Sequence, residues 1–99
     1  MRETSDMNLE QVRQRRAEIG QVASRYGAHD VRIFGSVARG DESPESDVDV
    51  LVRFEPGRSL LDLVGIRQDL EELLCCRVDV VSERALQAED EILREAIAL

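Results

Sequence analysis

The chain contains no lysine; all thirteen of its basic residues are arginine. Its 21 acidic residues outnumber them and leave a net charge of -8 at pH 7. That balance excludes broad binding along a nucleic-acid backbone, which depends on clustered Lys and Arg. Arginine suits bidentate contacts with phosphate or carboxylate. Those contacts do not account for a whole-chain absence of lysine, for which a compositional bias of the source genome is the plainer reading.

Cysteine is scarce as well. The two present, Cys75 and Cys76, are adjacent. Neighbouring side chains diverge and make a poor structural disulfide, and no Cys/His cluster has zinc spacing. Only three residues are aromatic in a 99-residue chain, so the core must be small. No apolar run is long enough to span a membrane. The first ten residues are polar and lack a signal-peptide core, so cytoplasm is the expected compartment. Residues 1–7 read as a loose tail and 8–99 as one domain. A chain of this size has little room for a separate substrate-binding domain, and a partner or self-association would most naturally supply one.

Apolar residues at Leu9, Val12, Ile19, Val22 and Ala23, with charges between them, predict an amphipathic helix from Asn8 to Tyr26. Asn8 or Asp6 can cap its start and Gly27 can end it. Val31 to Phe34 alternates and is β-branched or aromatic, which predicts a strand. His29, the only histidine, then falls in a loop on the surface, and Tyr26 reads as a packing residue. Gly35-Ser36 breaks the strand and Val37 to Arg39 begin a short helix. Gly40 to Ser46 is a loop by composition. Asp47 to Phe54 predicts a second strand, and Glu55-Pro56-Gly57 a turn. Ser59 can cap a helix whose leucines, from Leu60 to Leu74, give it a broad apolar face. Arg77 to Val81 predicts a third strand, and Ala88 to Ala98 a last helix. The expected order is α-β-α-β-α-β-α.

The most informative feature is Gly35-Ser36-Val37-Ala38-Arg39-Gly40, followed by Ser46-Asp47-Val48-Asp49-Val50-Leu51-Val52. Alternation sends Asp47 and Asp49 to one face of a strand, roughly 7 Å apart. Two carboxylates in an apolar strand are costly without a cation. Mg²⁺ favours such hard oxygen ligands. A Gly-Ser turn entering a helix favours an anion, because its free backbone N–H groups point outward. Asp79, flanked by valines, sits in the third strand. Pairing the second and third strands would gather three acids on one face, where they raise each other's pKa. A pair of Mg²⁺ ions about 3.5–4 Å apart would remove that penalty. Metal beside phosphate suggests nucleotide chemistry.

The string Gly35-Ser36, ten residues, then Asp47-Val48-Asp49 resembles the signature of the polymerase-β-like nucleotidyltransferase superfamily. The fuller text is similar to the minimal nucleotidyltransferases, which lack an added helical domain. The resemblance implies an α/β (α+β) fold, a small mixed β-sheet with helices packed on one side. It implies that Gly35 and Ser36 bind the β- and γ-phosphates of a nucleoside triphosphate, with ATP the expected donor. It implies that Asp47 and Asp49 bind two Mg²⁺ ions, and that Asp79 binds the catalytic one and helps deprotonate the acceptor hydroxyl. Arg39, one helical turn past Ser36, can reach the triphosphate or pair with Asp41 or Glu42 on the surface. The implied reaction is attack of a hydroxyl on the α-phosphorus, releasing pyrophosphate.

Minimal members of this family are often antitoxins paired with an all-helical HEPN-type RNase toxin. The implied role is transfer of AMP to a tyrosine of that toxin. An acidic chain would complement a basic RNA-cutting partner; no membrane and no direct nucleic-acid binding are expected. Two other readings stand beside this one. A catalytically idle chain could silence a toxin by covering it, or the acceptor could be a small molecule or an RNA end.

Overall fold

The structure is a computed structural model that describes residues 8–41 and 47–99. The expected tail at 1–7, the alternative cap Asp6 and most of the expected loop at 40–46 lie outside the described residues.

The first predicted helix is two. Helix α1 covers Leu9–Gln14 and α2 covers Arg16–Arg25. Asn8 opens α1 with a capping box: its side-chain oxygen accepts from the Gln11 N–H at 2.8 Å, and the Gln11 side chain accepts from the Asn8 N–H at 3.0 Å. A straight helix would continue the buried face of Val12 through positions 15 and 16, and both are arginine. The chain bends at Arg15, which leaves the helical region (φ -104°, ψ 17°), and Ile19, Val22 and Ala23 then resume burial.

Strand β1 runs Ala28–Phe34, three residues longer at its start than the sequence predicts. His29 is therefore in a strand, not a loop, although its side chain is exposed. The early residues pair with β2 (Val48–Phe54) through a bulge between His29 and Arg32, where Asp30 takes φ 55°. Alternation alone gives no sign of that extra residue. Helix α3 is Gly35–Arg39. Helix α4 is Leu60–Leu74, capped by Ser59, whose hydroxyl accepts from the Leu61 N–H at 3.2 Å. Strand β3 is Val78–Ser82, followed by a 3₁₀ turn at Glu83–Ala85.

The last predicted helix is corrected. Helix α5 is only Glu91–Glu95, and Ile97–Ala98 form a short strand β4. Ala96 is extended (φ -66°, ψ 138°), and the chain turns to cover the open edge of β1, pairing Ile97 with Ile33 and Ala98 with Arg32. The sheet order is β3-β2-β1-β4, with β2 and β3 parallel and the other pairs antiparallel. The parallel pair requires a crossover, and α4 provides it.

Val48, Val50 and Val52 of β2 point to the face covered by α1, α2 and α4, where Ile19, Ile66 and Leu70 meet them in the core. Tyr26 packs against Gly65, where a Cβ would sit 2.4 Å from the Tyr26 ring. The Tyr26 hydroxyl donates to Asp69 Oδ2 at 2.8 Å and ties α2 to α4. The apolar face of α4 is narrower than its leucines suggest: Leu60 and Leu61, in its first turn, are 73% and 80% exposed. Among the described residues no helix is long and apolar enough to cross a membrane.

Candidate active site

Strand β2 ends its pairing with β1 at Phe34↔Asp49, immediately before the chain turns into α3. The turn is made by Gly35, at φ 78°. An L side chain is disfavoured at that φ, and space forbids one as well. A Cβ on Gly35 would lie 2.1 Å from Asp49 Oδ2. The glycine of the motif therefore makes room for the half-buried acid of the strand. Ser36 follows in the first turn of α3, half-buried, and Gly40 closes the helix in the left-handed conformation (φ 83°).

The parallel register places Asp49 directly beside Asp79, between Val48↔Val78 and Val50↔Val80. Partnered residues in neighbouring strands project to the same face. Asp49 is half-buried between β1 and β3, whereas Asp79 is exposed on the edge strand. Burial pushes the Asp49 carboxyl up to about 6, and the charges of Asp79 and Asp47 push in the same direction. Arg39 opposes them, and Glu95 adds to them. A carboxylate held this far up lacks a compensating positive charge.

Asp47 precedes β2 by one residue and shares the face of Asp49 by alternation. Its carboxylate lies 3.7 Å from Arg77 Nε. Among the described residues, no three His, Cys, Asp or Glu side chains stand close enough together to hold a metal ion as they lie. The backbone thus brings Asp49 and Asp79 side by side and leaves the Asp47 side chain turned toward Arg77. The donor chemistry nevertheless fits a hard divalent cation: oxygen only, with one carboxylate already destabilised in its charged form. Such a cation would be held by Asp49 and Asp79, with Asp47 swinging from Arg77 to join them.

Arg39 ends α3, and its guanidinium is in ion pairs with two acids. Nε is 3.4 Å from Asp41 Oδ2 and Nη1 is 3.1 Å from Glu95 Oε1. The Asp41 pair was legible as a local alternative. Glu95 was not, since it lies 56 residues away in a segment that reads as continuous helix. Arg77 was likewise missed as the partner of Asp47. On the same face of the sheet, Glu83 accepts from Arg32 and from Arg53, which holds its carboxyl below the usual range.

A family model described as a nucleotidyltransferase domain matches residues 10–99. This chain belongs to the nucleotidyltransferase family. It is an enzyme by that membership, and its reaction class is nucleotidyl transfer. Two archaeal relatives are each 38% identical to this nucleotidyltransferase. One is MJ0435 of Methanocaldococcus jannaschii, provisionally named a protein adenylyltransferase, with 92% of this chain aligned to 97% of the relative. The other is the protein adenylyltransferase MntA of Thermococcus cleftensis, with 78% of this chain aligned to 80% of the relative. A solved structure provisionally described as a minimal nucleotidyltransferase is 50% identical, with TM-score 0.82 over 94% of this chain and 97% of that one. A toxin–antitoxin crystal structure with AMP-PNP shares the fold at 19% identity, with TM-score 0.71 over 83% of this chain and 69% of that one.

Proposed function

We propose that this nucleotidyltransferase transfers AMP from ATP to a hydroxyl of a protein partner, a tyrosine of a HEPN-type RNase toxin, and so acts as an antitoxin. The observation that carries the reading is the Asp49–Asp79 pair in register, with the Asp49 carboxyl raised to about 6 beside the Gly35 turn. The names of the adenylyltransferase relatives support protein as the acceptor. The fold shared with a toxin–antitoxin structure supports a toxin as the partner.

In this reading Gly35 and Ser36 donate backbone and hydroxyl hydrogen bonds to the β- and γ-phosphates. Arg39 neutralises the triphosphate from the end of α3. Asp47, Asp49 and Asp79 would hold two Mg²⁺ ions. When bound, Mg²⁺ would supply positive charge that favours the ionised form of Asp49 and offsets charge developing on the leaving pyrophosphate. Asp79 takes the proton of the acceptor hydroxyl as its oxygen attacks the α-phosphorus, and the bond to the β-phosphate oxygen breaks. Exposure on the edge strand suits Asp79 to meet an incoming protein side chain. A chain that silenced its toxin by masking alone would have no use for an acid held near pKa 6 against a glycine.

Label transfer tests the reading. The enzyme is incubated with Mg²⁺, ATP and the candidate toxin, using α-³²P or γ-³²P label. Label on the toxin from α alone is the expected result. Label from γ alone would mean a kinase, and an unlabelled but inhibited toxin would mean masking; either result overturns the proposal.

A further inference from the structure

We propose that Glu95 is a positioning residue for the donor nucleotide: it holds the Arg39 guanidinium at the site in the nucleotide-free enzyme and gives it up to the triphosphate. The inference rests on the reading in which Arg39 contacts the triphosphate.

The pair joins two elements distant in sequence. Arg39 is the last residue of α3, and Glu95 is the last residue of α5. Glu95 is the fixed member. Two residues later Ile97 pairs with Ile33 of β1, so the backbone that carries Glu95 is anchored to the sheet. Its side chain is 31% exposed, against 53% for Arg39. The anchored carboxylate therefore decides where the longer, looser side chain points. Arg39, Glu91, Arg94 and Glu95 line an open cleft of about 440 Å³. The cleft lies at the end of α3, whose first residue, Gly35, packs against Asp49.

A guanidinium carries five N–H donors in a planar fork. Glu95 receives one contact, from Nη1, and Asp41 one, from Nε. A triphosphate offers more charge and more oxygens than one carboxylate, so it wins the fork by bidentate contact. The exchange has a small cost, because a half-exposed ion pair contributes little in water. Glu95 then tunes nucleotide affinity without blocking it, and it recaptures Arg39 when pyrophosphate departs.

The test is the Kd of the α,β-methylene analogue of ATP, with Mg²⁺, by titration calorimetry. The variants are Glu95→Gln, Glu91→Gln, Arg39→Ala and the Arg39→Ala, Glu95→Gln double. Glu95→Gln is expected to bind the analogue about two- to fivefold more tightly, the range set by a half-exposed ion pair. Glu91→Gln removes the same charge from the same cleft without touching an Arg39 contact, and is expected to change Kd less. In the Arg39→Ala background the Glu95→Gln gain is expected to vanish, as coupled residues require.

Unchanged or weaker binding by Glu95→Gln overturns the proposal. An equal gain from Glu91→Gln, or a gain that survives without Arg39, also overturns it, by reducing the effect to bulk charge. If Arg39→Ala weakens binding while Glu95→Gln does nothing, only the role of Glu95 fails. If Arg39→Ala binds like wild type, the triphosphate contact itself fails and takes this inference with it.

Discussion

Strand β2 shows two faces with opposite economies. Val48, Val50 and Val52 look into the helices and are at most 1% exposed. Asp49 looks the other way, and burial beside Asp79 and Asp47 pushes its carboxyl up to about 6. Both sets are fixed by the same hydrogen-bond register to β1 and β3. The valine face thus secures the fold, and on the other face Asp49 is held in an unfavourable state by it. Stability and chemistry should therefore respond in opposite senses to substitutions one residue apart.

The largest break comes from Asp49→Asn. The carboxamide is nearly isosteric and keeps the fit against Gly35, but it removes the charge that the proposed metal binding requires. Transfer activity is expected to fall on the order of 10³-fold, the scale of losing one electrostatic contact at the reacting centre. Circular dichroism should stay unchanged. Retention of a tenth or more of wild-type turnover would remove Asp49 from the chemistry. Val50→Ala, one residue away, should do the reverse. Emptying a fully buried site beside Ile33 is expected to cost about 2–3 kcal/mol by urea unfolding. Turnover per folded molecule should stay near wild type.

Gly35→Ala tests the seam between the two faces. The new Cβ meets Asp49 Oδ2 in a backbone conformation that disfavours it. A stability loss of about 1–2 kcal/mol is expected from the left-handed φ and the displaced carboxylate. Activity should fall further than that stability loss explains. Full activity in a stably folded Gly35→Ala would mean that the packing of Asp49 on Gly35 has no functional role.

The contrast between the faces also explains what could be read from sequence. The acid face was legible because its residues are out of place in a regular pattern: Asp47, Asp49 and Asp79 interrupt valine runs, and Gly35-Ser36 interrupts a strand. The core strands were legible for the same valines. The ends of elements were less so. Asp30 adds a bulge that extends β1 back to Ala28, and no local pattern marks it. The helix predicted over Asn8 to Tyr26 bends at Arg15 because tertiary packing has no place for Arg15 and Arg16. Ile97 and Ala98 fit a helical stripe, yet they serve an open sheet edge whose need is visible only once β1 is placed. Leu60 and Leu61 fit the apolar stripe of α4 in sequence yet stand exposed in its first turn. The Arg39–Glu95 pair depends on that same corrected C-terminal path, so no reading of neighbours in sequence could reach it.

The smallest effect is also the sharpest test of the contrast, because it sets protonation against stability in one group. In the folded chain without metal, the Asp49 carboxyl sits at about 6, against an ordinary 3.8. A carboxyl raised on folding binds its proton more tightly in the native state. Its contribution is therefore fully present below about pH 3.8 and is lost as pH rises through 6. Solvent screens a half-buried group, so the expected swing is about 1 kcal/mol rather than the full value of the shift. Glu83 runs in the opposite direction: Arg53 and Arg32 hold its carboxyl low, so its contribution is lost as pH falls. Subtracting Asp49→Asn from wild type removes Glu83 and every other shared group. The variant should be more stable by about 1 kcal/mol at pH 8, and the two chains should converge near pH 4. Millimolar Mg²⁺ should raise the Tm of wild type at pH 8 and leave that of Asp49→Asn in place. Parallel melting curves from pH 8 to 4, with no divergence on adding Mg²⁺, would mean that Asp49 is adequately neutralised by Arg39 alone. The acid face would then hold no stored charge for a cation to relieve.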